Sequence, residues 1–449
     1  MIDYTLPLDR LPDPLPIEPL TKPFDVTITP PGSKSITCRA YILAALAEGE
    51  SQIIRPLRAD DTDTLLNALC TLGAEARWDG EDVFIKGVGG RFPRGGKINL
   101  GDGGAPTRFM IAAACLAAEP VVVDASPRMR QRPIAEGVEM LRQLGAKIEY
   151  IEQEGRLPVR TVPSATLVGG PVKIGATKSS QFVSAVMLIA PWLKQSVQLV
   201  FADEPTSERY VRLTSAVLRE WDVRIQQWFF AESNGRSATS SRPPELRLIP
   251  SKLAGRDYRV EPDASSAAYW MIAAGLVAKA RVELIGMRWP SPQPDVSIVG
   301  PLREAGVDSE AMSSGFVITG PDNLHSTQTD ARRMPDGSLA LAALMAMATG
   351  RSVITGLHTL RVKETDRIAA LTNELQKIGC EIEDDDDMIT IDPHHRHDKP
   401  VVIETYNDHR MAMAFAVLGL ARPGISIKNP ACVSKSYPTF WKDFAKLYQ

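Results

Sequence analysis

The sequence predicts an α/β fold of six repeated units, set out as two domains of three. Three observations predict it. An Ala-rich helix, a short turn and a β-branched strand recur in six copies, at roughly 70–85-residue spacing, longer than solenoid repeats. The helices of these copies are apolar nearly all round, as buried helices are. The chain has 449 residues, more than one compact core accommodates.

In chain order the copies are "CRAYILAALAEGESQIIRPL", "TRFMIAAACLAAEPVVVDAS", "SQFVSAVMLIAPWLKQSVQLVF", "SAAYWMIAAGLVAKARVELIGM", "SLALAALMAMATGRSVITGL" and "HRMAMAFAVLGLARPGISIKN". An amphipathic helix follows most of them: "TDTLLNALCTLGAE", "IAEGVEMLRQLGAK", "ERYVRLTSAVLREWDV", "VSIVGPLREAGV" and "DRIAALTNELQKIGCE". Leu-Gly or Ile-Gly near the end of three of these marks a helix C-terminus. A strand pair follows, as in "ARWDGEDVFIKG" with its Asp-Gly turn. The last copy closes with "YPTFWKDFAKLY". The acidic, Pro-rich opening, "MIDYTLPLDRLPDPLPIEPL", reads as an extended arm or edge strand, with no secretory signal. "SNGRSATSSRPPE", residues 233–245, lies between two strands of the third unit and reads as a surface loop. The domain crossover falls instead near "YRVEPDAS", residues 258–265, before the fourth unit.

Composition narrows the function classes. Hydrophobic residues make up 44% and charged residues 23%, ordinary for a globular protein. A net charge of −3 creates no global field for nucleic acid or membrane, so anions must be held by local Lys and Arg clusters. The longest apolar run, 339–349, is about half of what a bilayer requires. Cys38, Cys70, Cys115, Cys380 and Cys432 have no CxxC spacing and read as reduced structural thiols of a cytoplasmic protein.

The chemistry is concentrated at the starts of the apolar helices. "TPPGSKSITCRA" puts Lys34, Ser35 and Arg39 there. "GDGGAPTR" (101–108), "KSSQ" (178–181), "MPDGS" (334–338) and "YNDHR" (406–410) occupy matching positions. Helix N-termini carry unpaired N–H groups and partial positive charge, and so attract phosphate and carboxylate. Taken alone, each Ser or Asp there is a helix cap. Their recurrence, with added Arg and Lys, points to a substrate with several anionic groups. "RGGKINL" (94–100) is not a P-loop, because Arg91 stands at the upstream glycine and Ile98 at the magnesium-binding hydroxyl. "DDDD" (384–387) and "HHRH" (394–397) flank the strand "MITID" and read as solvated hairpin ends rather than a metal site.

With "PGSKS…R", "PRMRQRPI", "SSQF", "DASSAAY", "RVKETDR", "TYNDHRMAMAF" and "KSYP" in order, the chain resembles the 5-enolpyruvylshikimate-3-phosphate synthase family from about residue 25 to the end. "RVKETDR" and "YNDHRMA" are the specific motifs. The resemblance implies a two-lobed enolpyruvyl-transferase fold of six βαβαββ units, one lobe of 33–261 and one of 262–449 plus the arm 1–32, with substrates in the cleft between lobes. It implies transfer of the enolpyruvyl group of phosphoenolpyruvate to shikimate 3-phosphate, in aromatic amino-acid biosynthesis. No metal or organic cofactor is implied, nor nucleic acid or membrane, and the chain is expected to be a monomer and a glyphosate target. By motif, Lys34, Ser35, Arg39, Ser179, Ser180, Gln181, Ser207, Asp336, Thr359 and Lys363 would contact shikimate 3-phosphate. Lys34, Gly104, Arg132, Gln181, Arg367, Arg410 and Lys435 would contact phosphoenolpyruvate. Catalysis would fall to Asp336 as base with Lys34 nearby, and to Glu364 as proton donor, with Lys435 a rival donor.

The sequence departs from the family pattern at Asp102, Ala105 and Phe109, where Asn, Thr and Pro are common, and at Thr359, where Asn is common. The changes in the turn 101–109 are expected to weaken glyphosate inhibition and raise the Michaelis constant for phosphoenolpyruvate, and Thr359 bears on how shikimate 3-phosphate is held. One alternative is the sister transferase acting on UDP-N-acetylglucosamine, but "SPRMRQRPI" lacks the cysteine that family uses. The other is a binding module of the same fold without activity, which would have no need of both Asp336 and Glu364.

Overall fold

The structure, a computed structural model, describes residues 2–175, 177–202, 206–228 and 244–449. Most of the 233–245 loop expected from the sequence lies outside the described residues. The chain divides into two units, Lys34–Val260 and Met1–Ser33 with Glu261–Gln449, against cuts read from the sequence after 32 and 261. Each unit has its own buried apolar cluster.

In Lys34–Val260 the three apolar helices, Lys34–Leu46, Gly104–Ala114 and Ser180–Ile189, pack on one another. Ile36 to Leu46 are all buried. Such helices have no solvent face, which is why their sequence shows no polar stripe. Each leads into a four-stranded sheet of two parallel strands completed by an antiparallel hairpin. In the second repeat, Gly96–Asn99 pairs in parallel with Val121–Asp124, then Val159–Val162 and Lys147–Tyr150 follow antiparallel. The amphipathic helices Asp60–Thr71, Ala135–Gln143 and Glu208–Glu220 lead into the hairpins. Gly145 ends one of them at φ +96°, where a Cβ would meet the Thr166 carbonyl at 1.8 Å, so only glycine fits. The first sheet of this unit takes its edge strand, Asp257–Arg259, from the end of the unit's chain.

The other unit repeats the plan around Ala264–Leu276, Ser338–Met345 and His409–Leu418, which also pack together. Here the N-terminal arm supplies two edge strands. Asp25–Ile28 pairs in parallel with Arg281–Ile285, and Leu15–Pro16 pairs antiparallel with Ile425–Ile427. The sixth repeat is truncated: its sheet has three strands, and the short helix Phe440–Ala445 stands where a hairpin would follow.

All five cysteines are free, and burial pushes the thiols of Cys38, Cys115 and Cys432 up to about 12, as inert core residues. Among the described residues no helix is long and apolar enough to cross a membrane.

Candidate active site

In each unit, the polar residues picked out at the helix starts gather at the N-terminal ends of the packed helices. In Lys34–Val260, Lys34 opens the first helix and pairs with the buried Asp61 at 3.1 Å. Ser179 caps the third helix by accepting from the Gln181 amide at 3.3 Å, and Ser180 follows it, buried. Arg108 reaches across from the second helix to donate to the Gln181 side chain and to the Pro133 carbonyl. It thus ties Gln181 to the loop that carries Arg132. Ser207 begins the helix Glu208–Glu220 from a left-handed backbone, φ 51°.

Gly104 and Arg132 are in direct apposition. A Cβ on Gly104 would lie 2.7 Å from Arg132 Nη1 and 3.0 Å from Cζ. The guanidinium therefore rests on the bare backbone at the start of the second helix. Arg132 is 5% exposed, and its Nε has no protein hydrogen-bond partner among the described residues.

Arg39 is less exposed to ligand than its motif suggested. It is 2% exposed and donates to Thr214 Oγ1 (2.9 Å), the Ser35 carbonyl (2.7 Å) and Ser184 Oγ (3.2 Å). Its Cζ sits 5.1 Å from the centre of the Phe109 ring. Phe109, one of the departures from the family pattern, forms a floor for Arg39. Asp102, another of those departures, accepts a hydrogen bond from the Ser126 hydroxyl. Ser126 in turn accepts from the Met129 amide at 3.1 Å, so Asp102 braces the turn leading to Arg132.

In the other unit three helix N-termini converge on an ion network. Arg367 is its centre, 1% exposed. Its Nε donates to Asp408 (2.7 Å), Nη1 to Asp336 (2.8 Å) and Nη2 to Glu364 (2.9 Å). Arg410 donates to the other Asp336 oxygen at 3.1 Å, and Lys363 Nζ lies 3.6 Å from Asp336. Lys435 pairs with Glu364 at 3.3 Å. Asp408 also caps its helix by accepting from the Arg410 amide at 2.9 Å. Burial raises the proton affinity of Asp336, but Arg410, Lys363 and Arg367 outweigh it and hold the carboxyl well below the usual range. Arg367 shows the converse: burial opposes its charge, and Asp408, Glu364 and Asp336 more than restore it. Thr359 is 6% exposed, and its hydroxyl has no protein partner among the described residues.

The loop carrying Lys363 and Glu364 is held by the acidic run, which is not merely solvated. Arg361 binds Asp366 (3.0 Å), Asp384 (3.3 Å), the Asp385 carbonyl (2.7 Å) and Asp386 (3.2 Å). Asp387 accepts from the His358 amide at 2.9 Å. The "HHRH" run has a partly structural role too, since the His397 carbonyl accepts from the buried Arg422.

Sequence reasoning passed over Asp61, Arg108, Asp295 and Asp408 as functional residues. Asp61 and Asp408 stand in helix-start clusters, where an acid reads as a cap. Asp295, in "PQPDVS", carried no signal.

The fold is that of enolpyruvyl transferases. A solved EPSP synthase from Acinetobacter baumannii superposes with a TM-score of 0.77 at 25% identity, covering 96% of this chain and 98% of that one. The enolpyruvyl transferase NikO from Streptomyces tendae superposes with a TM-score of 0.72 at 18% identity, covering 96% of each, which supports the fold alone. The chain belongs to the EPSP synthase (3-phosphoshikimate 1-carboxyvinyltransferase) family, whose pattern it matches over residues 20–444. Among curated relatives, the 3-phosphoshikimate 1-carboxyvinyltransferase of Methanoculleus marisnigri is 35% identical, spanning 94% of this chain and 96% of the relative. The enzyme of the same name from Haemophilus influenzae is 34% identical over the same shares.

Proposed function

We propose that this chain transfers the enolpyruvyl group of phosphoenolpyruvate to a ring hydroxyl of shikimate 3-phosphate by addition and elimination, releasing phosphate. The observation that carries the reading is Arg132, a buried guanidinium with no acidic partner among the described residues, lying against Gly104 at a helix N-terminus. Such a site suits an anion on a small molecule. Family membership supplies the substrate pair.

In this mechanism Asp336 accepts the proton of the attacking hydroxyl as its oxygen bonds to C2 of phosphoenolpyruvate. The Glu364–Lys435 pair delivers a proton to the methylene carbon, giving a tetrahedral intermediate. Return of one proton from the new methyl group to the Glu364–Lys435 pair, with departure of phosphate, then yields the enolpyruvyl ether. Lys34, Arg132 and Arg410 neutralise phosphate and carboxylate, while Ser179, Ser180, Ser207, Thr359 and Lys363 hold shikimate 3-phosphate. We place Arg39 beneath Ser35 as support for that group. The working form is a cytoplasmic monomer.

The test is phosphate release from phosphoenolpyruvate. Release is expected with shikimate 3-phosphate and not with UDP-N-acetylglucosamine. Release with the UDP-sugar alone, or with neither acceptor, would overturn the reading.

A further inference from the structure

Asp295 lies behind the candidate base and belongs to none of the motifs. It sits in a 3₁₀ turn, Pro294–Ile298, and is 1% exposed. One carboxyl oxygen accepts from the Gly337 amide at 3.0 Å, and the other takes the hydroxyl hydrogen of Ser265, on the helix Ala264–Leu276. Gly337 is the residue after Asp336 and caps the helix Ser338–Met345. The turn 335–337 therefore rests on Asp295.

The charges around the pair set the chemical problem. Asp336 faces Arg410, Lys363 and Arg367, with Glu364 the opposing charge. Three cations keep it ionised but also weaken it as a proton acceptor. Asp295 faces Asp336 and Arg410, with the Ser265 hydroxyl and the Gly337 amide as its hydrogen-bond donors. Burial first, and the charge of Asp336 second, push Asp295 up to about 6. Repulsion between the two carboxylates is mutual, so Asp295 raises the proton affinity of Asp336 as well.

We propose that Asp295 is a positioning residue for Asp336, holding the turn 335–337 from beneath and keeping the Asp336 carboxylate basic enough to take the substrate hydroxyl proton. The proposal rests on the reading of Asp336 as base.

Asp295→Asn tests it, because the amide oxygen still accepts from Gly337 while the charge is lost. A role in folding alone predicts near-parent kinetics for this variant. The proposal predicts a kcat about tenfold lower, Michaelis constants for both substrates within about twofold, and an acid limb of the kcat–pH profile shifted to lower pH. Asp336→Asn and the double variant complete the cycle. If Asp295 acts through Asp336, the double variant is no slower than Asp336→Asn alone. Near-parent kcat for Asp295→Asn with a slow Asp336→Asn overturns this proposal and leaves the base reading standing. Near-parent kcat for Asp336→Asn overturns both. A double variant slowed by the product of the two single effects places Asp295 elsewhere in the reaction and overturns the proposal. Thermal melts of all three variants confirm that the folded enzymes are being compared.

Discussion

Arg367 Nη1 lies 2.8 Å from Asp336 Oδ1 while Nε of the same guanidinium lies 2.7 Å from Asp408 Oδ2. One rigid fork thus fixes the candidate base to the cap of the helix His409–Leu418, and its third nitrogen fixes Glu364. Lysine has the charge but not the fork. Arg367→Lys is expected to lower kcat/KM by about 100-fold or more and to lower the melting temperature, since breaking a buried ion network leaves carboxylates uncompensated. Steady-state kinetics and a thermal melt decide it. Activity within tenfold of the parent would show that charge alone suffices at this position.

Gly104 and Arg132 give a second expectation. A methyl group at 104 would stand 2.7 Å from Nη1, so the guanidinium must move. Gly104→Ala is expected to raise the Michaelis constant for phosphoenolpyruvate at least tenfold while leaving the affinity for shikimate 3-phosphate within about twofold. Calorimetric titration with shikimate 3-phosphate, beside steady-state kinetics, separates the two. An unchanged constant for phosphoenolpyruvate removes Arg132 from its site.

The architecture was legible because its signal is repeated. Six apolar helices at similar spacing announce buried helices, and the helix starts gave Lys34, Asp336 and Arg410 by position, whereas Arg367 came only from the family motif. Pairing between distant segments was not legible. The strand Asp25–Ile28 is short and joins Arg281–Ile285 across most of the chain, which no local pattern encodes. Asp295 was hidden for a similar reason, since its partners, Ser265 and Gly337, lie far away in sequence. The acidic run does lie exposed at a hairpin end, as read, but charge alone did not reveal its partner. Arg361 collects Asp384, Asp385 and Asp386 only once the loop 358–364 has folded beside the hairpin.

Asp102 separates hydrogen bonding from charge. Its bond to Ser126 braces the turn before Arg132, and the amide oxygen of Asn preserves that bond. Asp102→Asn is expected to leave the Michaelis constant for phosphoenolpyruvate within about twofold. Asp102→Ala, which removes the acceptor, is expected to raise it about threefold to tenfold. Inhibition by glyphosate, which competes with phosphoenolpyruvate in this family, should weaken in the same order. An equal effect of both substitutions would mean that the charge, and not the brace, matters.

Asp295 and Asp336 titrate in opposite directions, so stability should carry both signatures. The folded state lowers the proton affinity of Asp336, whose contribution is therefore present above the ordinary carboxyl range and lost as pH falls below it. The folded state raises Asp295 to about 6 from 3.8. Its contribution is complete below pH 3.8 and is lost as pH rises through 6, where the buried carboxyl must ionise beside Asp336. Asn at 295 does not titrate, so the variant escapes this loss. The melting temperature of Asp295→Asn minus that of the parent should therefore become more positive between pH 4 and pH 7, by about 2–4 °C. The comparison cancels the titrating groups that do not interact with Asp295, and Asp336, which does, titrates below this interval. A difference that stays flat across the interval would mean that Asp295 is already ionised at pH 4 in the folded state, and that its burial beside Asp336 carries no electrostatic cost.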